Sequence, residues 1–411
     1  MKKLGLSRNI YAAGFVSLLM DVSSEMIYPL MPLFLSSVLG ASKSLIGIIE
    51  GVAESTASIL KIFSGWLSDR AGKRKGLTAG GYGISTLSRP VLALATGWHM
   101  ALTARFLDRV GKGVRTAPRD AIIAESTEPG RYGAAFGFHR AMDTVGAVIG
   151  PATAFFMLKA FSGDFRKVFW VSMIPGALAV ITIFLFIRET AGKQAGERRR
   201  TAVSGQKGSR PTDPPKLSFR ALSGRFKFFV IIATIFSVGN SSDAFLILRA
   251  RSAGISAAII PLLYMMFNTI YSLVSLPAGI AADRFGRKRI ILAGFILFSG
   301  VYYGFARFAG VRSVWYLFGA YGIFMGLTEG IQKAYIAEVL PPEFKATAFG
   351  LYNMMVGLAL LPASIIGGWL WDNVSPAATF YYGSATALVS AMLFVVYIIV
   401  YGKERAGRAK E

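Results

Sequence analysis

Long apolar segments, separated by short polar stretches, follow one another along almost the whole chain of 411 residues. Most are about 20 to 28 residues long, which is enough for a helix to cross the hydrocarbon layer of a membrane. Helices are expected because a spanning segment must satisfy its own backbone hydrogen bonds, and the alternation of a membrane barrel is absent. The pattern predicts twelve helices, at about 10–39, 44–68, 76–97, 99–124, 132–160, 167–188, 228–249, 257–281, 289–309, 313–338, 345–371 and 376–402.

The composition agrees with a membrane protein. Hydrophobic residues make up 54% of the chain and charged residues 16%, whereas a soluble domain has about 25% charged residues. The first apolar segment contains Asp21 and Glu25 and is too long for the core of a cleavable signal peptide. We therefore expect an all-α, multi-pass integral membrane protein, located in the cytoplasmic (inner) membrane if the source is bacterial.

The net charge of +23 indicates topology rather than nucleic-acid binding. A nucleic-acid site should form one basic patch on a soluble face, but here Lys and Arg cluster in loops and tails at alternate helix ends. By the positive-inside rule, the N and C termini lie in the cytoplasm. Five basic residues lie on the opposite side but are scattered over different loops: Lys43, Arg166, Lys167, Arg251 and Arg312.

Four parts are predicted along the chain: a six-helix domain over 1–188, a cytoplasmic linker over 189–227, a second six-helix domain over 228–402 and a cytoplasmic tail over 403–411. The linker core, Arg198–Pro215, is basic and rich in small and polar residues, without apolar periodicity. It could contact lipid headgroups. A simple connection between the two domains is the favoured interpretation.

The two halves repeat one charged loop motif, in which a Gly is followed at +4 by Asp-Arg and then by Gly with basic residues. The first copy contains Gly65, Asp69, Arg70, Gly72, Lys73 and Arg74, and the second contains Gly279, Asp283, Arg284, Gly286, Arg287 and Lys288. Ala121–Glu125 and Ala334–Glu338 also match. Halves with an even number of helices keep the same orientation, so parallel repeats about an axis along the membrane normal are expected.

With these motifs the chain resembles the major facilitator superfamily, whose loop motif is G-x-L-x-D-R-x-G-R-K. Lys73 stands in place of the first Arg of the basic pair. The resemblance implies a twelve-helix secondary transporter that works by alternating access. It also implies that the motif residues form a conformational gate, with Asp69 facing the start of the eleventh helix near Lys345 and Asp283 facing the start of the fifth, near Arg131.

Two further motifs resemble those of the family. Arg109 is followed at +4 by Gly113 in the fourth helix. The fifth helix carries Gly146, Gly150 and Pro151, part of an antiporter motif whose closing glycine pair is replaced by Ala154-Phe155. These residues allow close packing and a local bend. In its motifs the chain is most similar to bacterial proton-coupled drug and solute antiporters.

Ionisable residues within the predicted helices are the candidate functional groups, because each costs about 2.5 to 3.5 kcal/mol at the bilayer centre without a partner. Asp21 and Glu25 share a helix face and are the best proton carriers. Arg109 and Arg115 are the expected countercharges, and His139 is a candidate proton relay that shares a helix face with Asp143. These four residues complete the predicted proton-coupling set. Static salt bridges are the alternative for such pairs, and a structural role is as plausible as a relay for His139.

A substrate cavity between the halves is predicted to be lined by polar and aromatic residues. The candidates are Tyr28, Glu50, Glu54, Arg140, Asn240, Asp243, Asn268, Tyr271 and Asn353. For any single aromatic residue, packing in the core or against lipid is the alternative. Glu125 and Glu338 are expected to pair with basic residues of the loop motifs.

The expected function is export of a small solute by proton antiport. One alternative is proton-linked uptake or exchange of an anionic solute held by arginines of the fourth helix, and another is a non-transporting receptor or scaffold on this fold. The chain has no Cys and two His, so a cofactor or metal is not expected. The sequence shows no nucleophile–base pair, so we do not expect an enzyme. The expected partners are a small-molecule substrate, protons and the lipid bilayer, without nucleic acid, and the protein is expected to be a monomer.

Overall fold

The structure, a computed structural model, describes residues 6–71, 74–128, 131–189, 223–308, 310–339 and 345–408. Within these ranges the chain forms twelve helices and no strand, which confirms the predicted all-α fold. The helices are α1 Arg8–Val38, α2 Lys43–Ala71, α3 Arg74–Ala93, α4 Trp98–Glu125, α5 Tyr132–Ala160, α6 Phe165–Phe186, α7 Gly224–Ser252, α8 Ile260–Phe285, α9 Arg287–Arg307, α10 Val311–Val339, α11 Lys345–Asn373 and α12 Pro376–Arg408. The last helix therefore extends beyond residue 402, where the tail was expected to begin.

Eight of these helices are long and apolar enough to cross a membrane. The other four, α2, α3, α4 and α10, are of similar length but include most of the charged residues that face the interior of the bundle. Charged side chains lower the hydropathy of a spanning helix and are tolerated where they find partners or an aqueous cavity. Hydropathy alone therefore misses four spanning helices, and these four help to form the polar interior of the bundle.

The first helix of each half is interrupted at a corresponding place. Segment Arg8–Ile27 of α1 ends before Pro29, which has no N–H and clashes with a helical backbone. In α7, segments Gly224–Gly239 and Ala244–Ser252 are separated by the polar residues 240–243, whose short side chains compete for backbone hydrogen bonds. The second segments of the two helices contact each other across the halves.

The two halves pack together along α2 with α11 and along α5 with α8. The end of the bundle where α2 gives way to α3 is called here the motif end, because it carries the repeated charged loops, and the opposite end is called the far end. At the far end, the Asp372 carboxylate accepts hydrogen bonds of 2.7 Å from both the backbone N–H and the hydroxyl of Ser44. Nearer the middle of α2, the Ser55 hydroxyl donates to the Gly357 carbonyl at 2.8 Å, so the halves are in close contact from the far end to the middle of this helix.

Small residues make this contact between α2 and α11 possible. A Cβ atom on Gly47 would lie 2.1 Å from the Ser364 carbonyl oxygen, and one on Gly368 would lie 2.5 Å from the Lys43 carbonyl oxygen. Both neighbours are backbone atoms, which cannot move aside as a flexible side chain can. Glycine therefore lets the two helices approach closely.

Gly47→Ala is expected to destabilise the conformation in which the far end is closed. Overpacking costs about 1–3 kcal/mol, which shifts a two-state equilibrium by roughly 5–150-fold. The chain has no Cys, so Ser55→Cys, in the contact between α2 and α11, provides a reporter. Maleimide should label it about tenfold faster or more when Gly47→Ala is also present.

The matched control for this experiment is Gly80→Ala in α3, where an added Cβ would have no neighbour within 4 Å. It should leave the labelling rate unchanged. Equal labelling rates in the Gly47→Ala and Gly80→Ala proteins would show that the far end accommodates a methyl group.

Candidate functional site

A cavity of about 540 Å³ lies between the two halves, within the range of about 300–1,000 Å³ that is typical of ligand sites. Its lining residues belong to α1–α4 of the first half and to α7, α8, α10 and α11 of the second. Lys61 and Lys112 line it and are exposed towards the motif end. The halves meet at the far end, so the cavity faces the motif end.

The lining is rich in charge, and the charges are distributed unevenly. All six cations come from the first half: Lys61, Arg89, Arg105, Arg109, Lys112 and Arg115. The six carboxylates include Asp243 and Glu329 of the second half, together with Asp21, Glu25, Glu54 and Asp108. Positive and negative groups are equal in number. The pattern of ion pairs among them therefore decides which charges remain free to bind a solute.

Arg105 is held by a buried carboxylate on the neighbouring helix. Its Nε and Nη2 donate to the two oxygens of Glu50 at 2.9 and 2.7 Å, and the Glu50 residue is 2% exposed. This bidentate geometry is the strongest arrangement of an arginine and a carboxylate. The Arg105 guanidinium also lies 5.3 Å from the centre of the Tyr28 ring. Glu50 is therefore a partner of Arg105 and not, as predicted, a lining residue of the cavity.

Two further arginines of the cavity are also paired. The Arg109 guanidinium is 3.1 Å from Glu54, and that of Arg89 is 2.7 Å from Asp108. Asp108 also lies within 3.6 Å of Arg105 and 3.9 Å of Arg109. A network of α2, α3 and α4 thus commits these arginines to protein carboxylates.

Asp21 and Glu25 are placed differently. Both are half-buried and line the cavity, and within the described ranges neither has an ion pair or a hydrogen bond from its side chain. Glu25 Oε2 is buried without a hydrogen-bond partner. These two predicted proton carriers are therefore the unpaired carboxylates of α1.

Glycines of α5 allow that helix to pack directly behind these carboxylates. A Cβ on Gly146 would lie 2.8 Å from the Asp21 Cβ, and one on Gly150 would lie 2.7 Å from the Glu25 Cβ. The helix continues through Pro151 without interruption. Gly146 and Gly150 thus allow the close packing that the sequence predicted, and the local bend predicted at Pro151 stays a prediction.

The remaining proton-coupling candidates divide between two places. Arg115 lines the cavity, donates to the Ser85 hydroxyl at 2.5 Å and lies 4.5 Å from the centre of the Tyr82 ring. His139 and Asp143 are not among the lining residues. The His139 ring instead forms a 2.7 Å hydrogen bond through Nε2 to the Ser17 hydroxyl, which favours the structural alternative for this histidine.

Four of the nine predicted substrate residues line the cavity: Tyr28, Glu54, Asn240 and Asp243. Asn268 instead donates to the Ala147 carbonyl at 3.2 Å, where α8 meets α5. Asn353 is exposed and outside the lining. Arg140 and Tyr271 also lie outside it, in a second hollow of about 460 Å³ that includes Asp283.

Arg140 belongs to a contact between the halves that the sequence did not reveal. It donates to the Tyr271 hydroxyl, which in turn donates to Glu329. Lys333 lies 3.3 Å from the same carboxylate. Residues on α5, α8 and α10 are thus joined, and this connection bridges the halves on the motif side of the cavity.

The predicted gate is described in part. Gly72, Lys73 and the side chains of Asp69 and Arg70 lie outside the described residues. Glu125 pairs with Arg74 at 2.5 Å, and Glu338 pairs with Arg287 at 3.1 Å, as expected for the loop motifs.

In the second copy of the motif, Gly286 ends α8 with a φ of 94°, a value that favours glycine. Arg284 lies 5.4 Å from the Phe285 ring, and Lys288 lies 5.3 Å from the Tyr397 ring. Asp283 forms a 3.1 Å ion pair with Arg287 of its own loop. Among the described residues no ion pair joins Asp283 to α5, so the expected contact with the start of that helix stays a prediction. Gly65 and Gly279 have open or ordinary surroundings.

Sequence reasoning did not place several lining residues in the cavity. Arg89, Lys61 and Lys112 are charged residues on apolar helices, and that signal was visible. Tyr321 gave no such signal because one tyrosine in an apolar helix does not show which way it faces. Its hydroxyl donates to Asp243 at 2.7 Å.

A twelve-helix bundle of two repeats around a charged central cavity defines a membrane transporter. The Major Facilitator Superfamily model matches the chain twice, over residues 13–250 and 228–411. The chain therefore belongs to the major facilitator superfamily, and it is a secondary transporter and not an enzyme.

Known proteins agree with this assignment. The chain is 38% identical over 400 residues to an uncharacterized MFS-type transporter of Methanocaldococcus jannaschii, covering 95% of each. It is 23% identical to the cis,cis-muconate transport protein of Acinetobacter baylyi, covering 94% of this chain and 92% of the relative. A crystal structure of a POT family transporter in complex with 5-aminolevulinic acid superposes with a TM-score of 0.77 at 14% identity, covering 95% and 96%.

Proposed function

We propose that this transporter exports a small organic solute in exchange for protons, with Asp21 and Glu25 as the proton-binding groups. The observation that carries the proposal is the contrast within one cavity. Arg105 and Arg109 are paired with Glu50 and Glu54, whereas the two carboxylates of α1 line the cavity without an ion pair among the described residues.

An unpaired carboxylate is suited to carry a proton. A carboxylate that an arginine already holds must break that pair before it takes up a proton, at a cost of several kcal/mol when the pair is buried. Asp21 and Glu25 have no such pair to break, so their proton occupancy can follow the compartment that the cavity faces.

Exchange requires that proton binding and solute binding oppose each other, so that the cavity holds either protons or the solute. A solute that binds better when Asp21 and Glu25 are ionised would be released when they are protonated, and this coupling is reciprocal. The packing of Gly146 and Gly150 against these residues, in a motif that resembles one of antiporters, supports exchange rather than cotransport.

A second candidate function is proton-linked uptake or exchange of an anionic solute. Lys61, Lys112 and Arg115 line the cavity, and within the described ranges none of them forms an ion pair with a carboxylate. An anion would meet these cations rather than Arg105 and Arg109, which are already paired. The sequence similarity to a cis,cis-muconate transport protein also favours this candidate.

The test is solute uptake into proteoliposomes under an imposed pH gradient, with labelled phenethylamine and labelled cis,cis-muconate as probes. Antiport predicts faster uptake of a probe when the vesicle interior is acidic, because protons leave as the solute enters. A gradient of two pH units is worth about 2.7 kcal/mol per proton, which allows up to ~100-fold accumulation. Protein-free liposomes correct for passive entry of the amine.

The direction of the gradient separates the two candidates. Faster uptake with an alkaline interior would show cotransport and contradict the antiport proposal. Uptake that is independent of the gradient would contradict proton coupling in both candidates.

A further inference from the structure

The break in α7 places a group of hydrogen-bond acceptors on the second-half wall of the cavity. Asn240, Ser241 and Asp243 all line it. Asn240 Oδ1 is buried without a hydrogen-bond partner, whereas the Ser241 hydroxyl, on a residue that is 4% exposed, interacts with the Tyr302 hydroxyl. Buried polar atoms are nearly always hydrogen-bonded in folded proteins, so an unpartnered acceptor beside the Asp243 carboxylate on this wall indicates a site for a ligand.

Asp243 gives the site its charge. Its carboxylate accepts a 2.7 Å hydrogen bond from the Tyr321 hydroxyl, and in the part of the chain that the structure describes it has no ion pair. A carboxylate accepts about four hydrogen bonds, so capacity for donors remains at Asp243.

Two helix ends with opposite partial charges meet at this place. Segment Gly224–Gly239 ends at Asn240, and the carbonyl groups at the C-terminus of a helix carry partial negative charge. The N-terminus of segment Ala244–Ser252, whose N-cap is Asp243, carries the opposite partial charge, so the negative charge of the site is that of the Asp243 carboxylate.

Aromatic rings continue the wall away from Asp243. The ring centres of Tyr321 and Phe267, of Phe267 and Tyr264, and of Tyr264 and Tyr28 are each 5.3 Å apart. Tyr28, Tyr264 and Tyr321 line the cavity. Aromatic faces attract cations, by about 2 kcal/mol or more where water is excluded, and they provide a surface for the apolar body of an organic ligand.

A bare metal ion fits this site poorly. The described residues contain no group of three or more His, Cys, Asp and Glu side chains that could hold a metal ion. The site combines one carboxylate with amide and hydroxyl oxygens and aromatic faces. An alkylammonium group has three N–H donors and an apolar remainder, which together match these partners.

We infer that the break in α7 is the binding site for the ammonium group of an organic amine substrate. The ammonium donates to Asp243 and to Asn240 Oδ1, and the apolar part of the substrate lies against Tyr321, Tyr264 and Tyr28. This inference rests on the proposed export function and names its substrate class. Protons on Asp21 and Glu25 would then be exchanged for a positively charged solute, so each step replaces one cation in the cavity by another.

The test compares amines with their neutral counterparts on the purified full-length protein. Benzylamine, phenethylamine and tyramine are measured against benzyl alcohol, 2-phenylethanol and tyrosol, with 3-phenylpropionate as the anionic probe. A ligand that binds the native state raises the midpoint of thermal unfolding, and a shift of about 2 °C or more is expected at saturating concentration. We expect this shift for at least one amine and not for its alcohol.

Asp243→Asn should weaken the binding of that amine about tenfold or more, because it removes the charged partner of the ammonium group. The matched control is Asp164→Asn, which makes the same substitution at the N-terminus of α6, where Asp164 accepts from the Arg166 N–H at 2.9 Å. Asparagine is as good a helix cap as aspartate, so this protein should bind the amine as the original does. If Asp243→Asn does not fold, Asn240→Leu, which removes one acceptor, should also weaken binding.

Three outcomes would overturn the inference: no amine stabilises the protein more than its alcohol does, amine binding is unchanged by Asp243→Asn and by Asn240→Leu, or 3-phenylpropionate stabilises the protein and the amines do not. The assay uses no pH gradient. It therefore measures recognition of the ammonium group by Asp243 alone, whereas the dependence of transport on the pH gradient tests the proton-coupling proposal, and either can fail without the other.

Discussion

Combining Asp21→Asn with Glu25→Gln is expected to abolish solute accumulation driven by a pH gradient. The original protein should concentrate a transported probe by up to ~100-fold with a two-unit gradient, and the double variant should reach no more than equal concentrations on both sides. The physical reason is that no titrating carboxylate remains on the α1 wall of the cavity, so the proton gradient no longer acts on the solute equilibrium. Exchange of labelled for unlabelled probe without a gradient should persist, because alternating access itself remains.

A matched control for this experiment is Asp120→Asn on α4. This carboxylate is 2.8 Å from Arg119 and does not line the cavity, so its replacement should leave the dependence on the gradient intact. The two single variants, Asp21→Asn and Glu25→Gln, show whether one group or both bind the proton. Accumulation by the double variant at the level of the original protein would mean that the proton binds elsewhere.

The twelve helices could be predicted because they depend on local properties of the chain. The length of an apolar segment and the residues that end it decide where a spanning helix begins and ends, and α5, predicted at about 132–160, is Tyr132–Ala160 in the structure. The repeated charged loops revealed the duplication for the same reason, since each is a continuous stretch of sequence.

The interruption of α7 could be anticipated less well. No proline marks it, unlike that of α1, and residues 240–243 are small polar residues that are compatible with an exposed turn or with a helix interior. Their position opposite Tyr321, on α10, decides their role, and that position depends on packing between helices far apart in the sequence.

The sequence also could not show which charged side chains form ion pairs with each other. Glu50 and Glu54 lie one turn apart on α2 and looked alike, yet Glu50 is held by Arg105 at the edge of the cavity and Glu54 lines it. Asn268 looked like a polar lining residue and instead joins α8 to α5. Helical periodicity gives the face of a helix on which a residue lies, but the partner opposite that face is set by the crossing of two helices.

Arg105→Met is expected to lower the stability of the protein by about 3–5 kcal/mol, because it leaves the charge of Glu50 buried without its bidentate partner. Combining it with Glu50→Leu should restore most of that loss, since a buried ion pair replaced by apolar side chains of similar volume is often neutral or stabilising. The midpoint of thermal unfolding in detergent provides the measurement, and the two single variants with the double variant complete a mutant cycle.

The cycle also separates structure from function for this arginine. Lys112→Met, on the same helix and without an ion pair among the described residues, should change the midpoint little. A double variant as unstable as Arg105→Met would mean that the arginine stabilises the protein through other contacts, such as the Tyr28 ring at 5.3 Å. Recovered stability together with lost transport would show that transport needs the pair itself, either for switching between conformations or for the charge that Arg105 presents to the cavity.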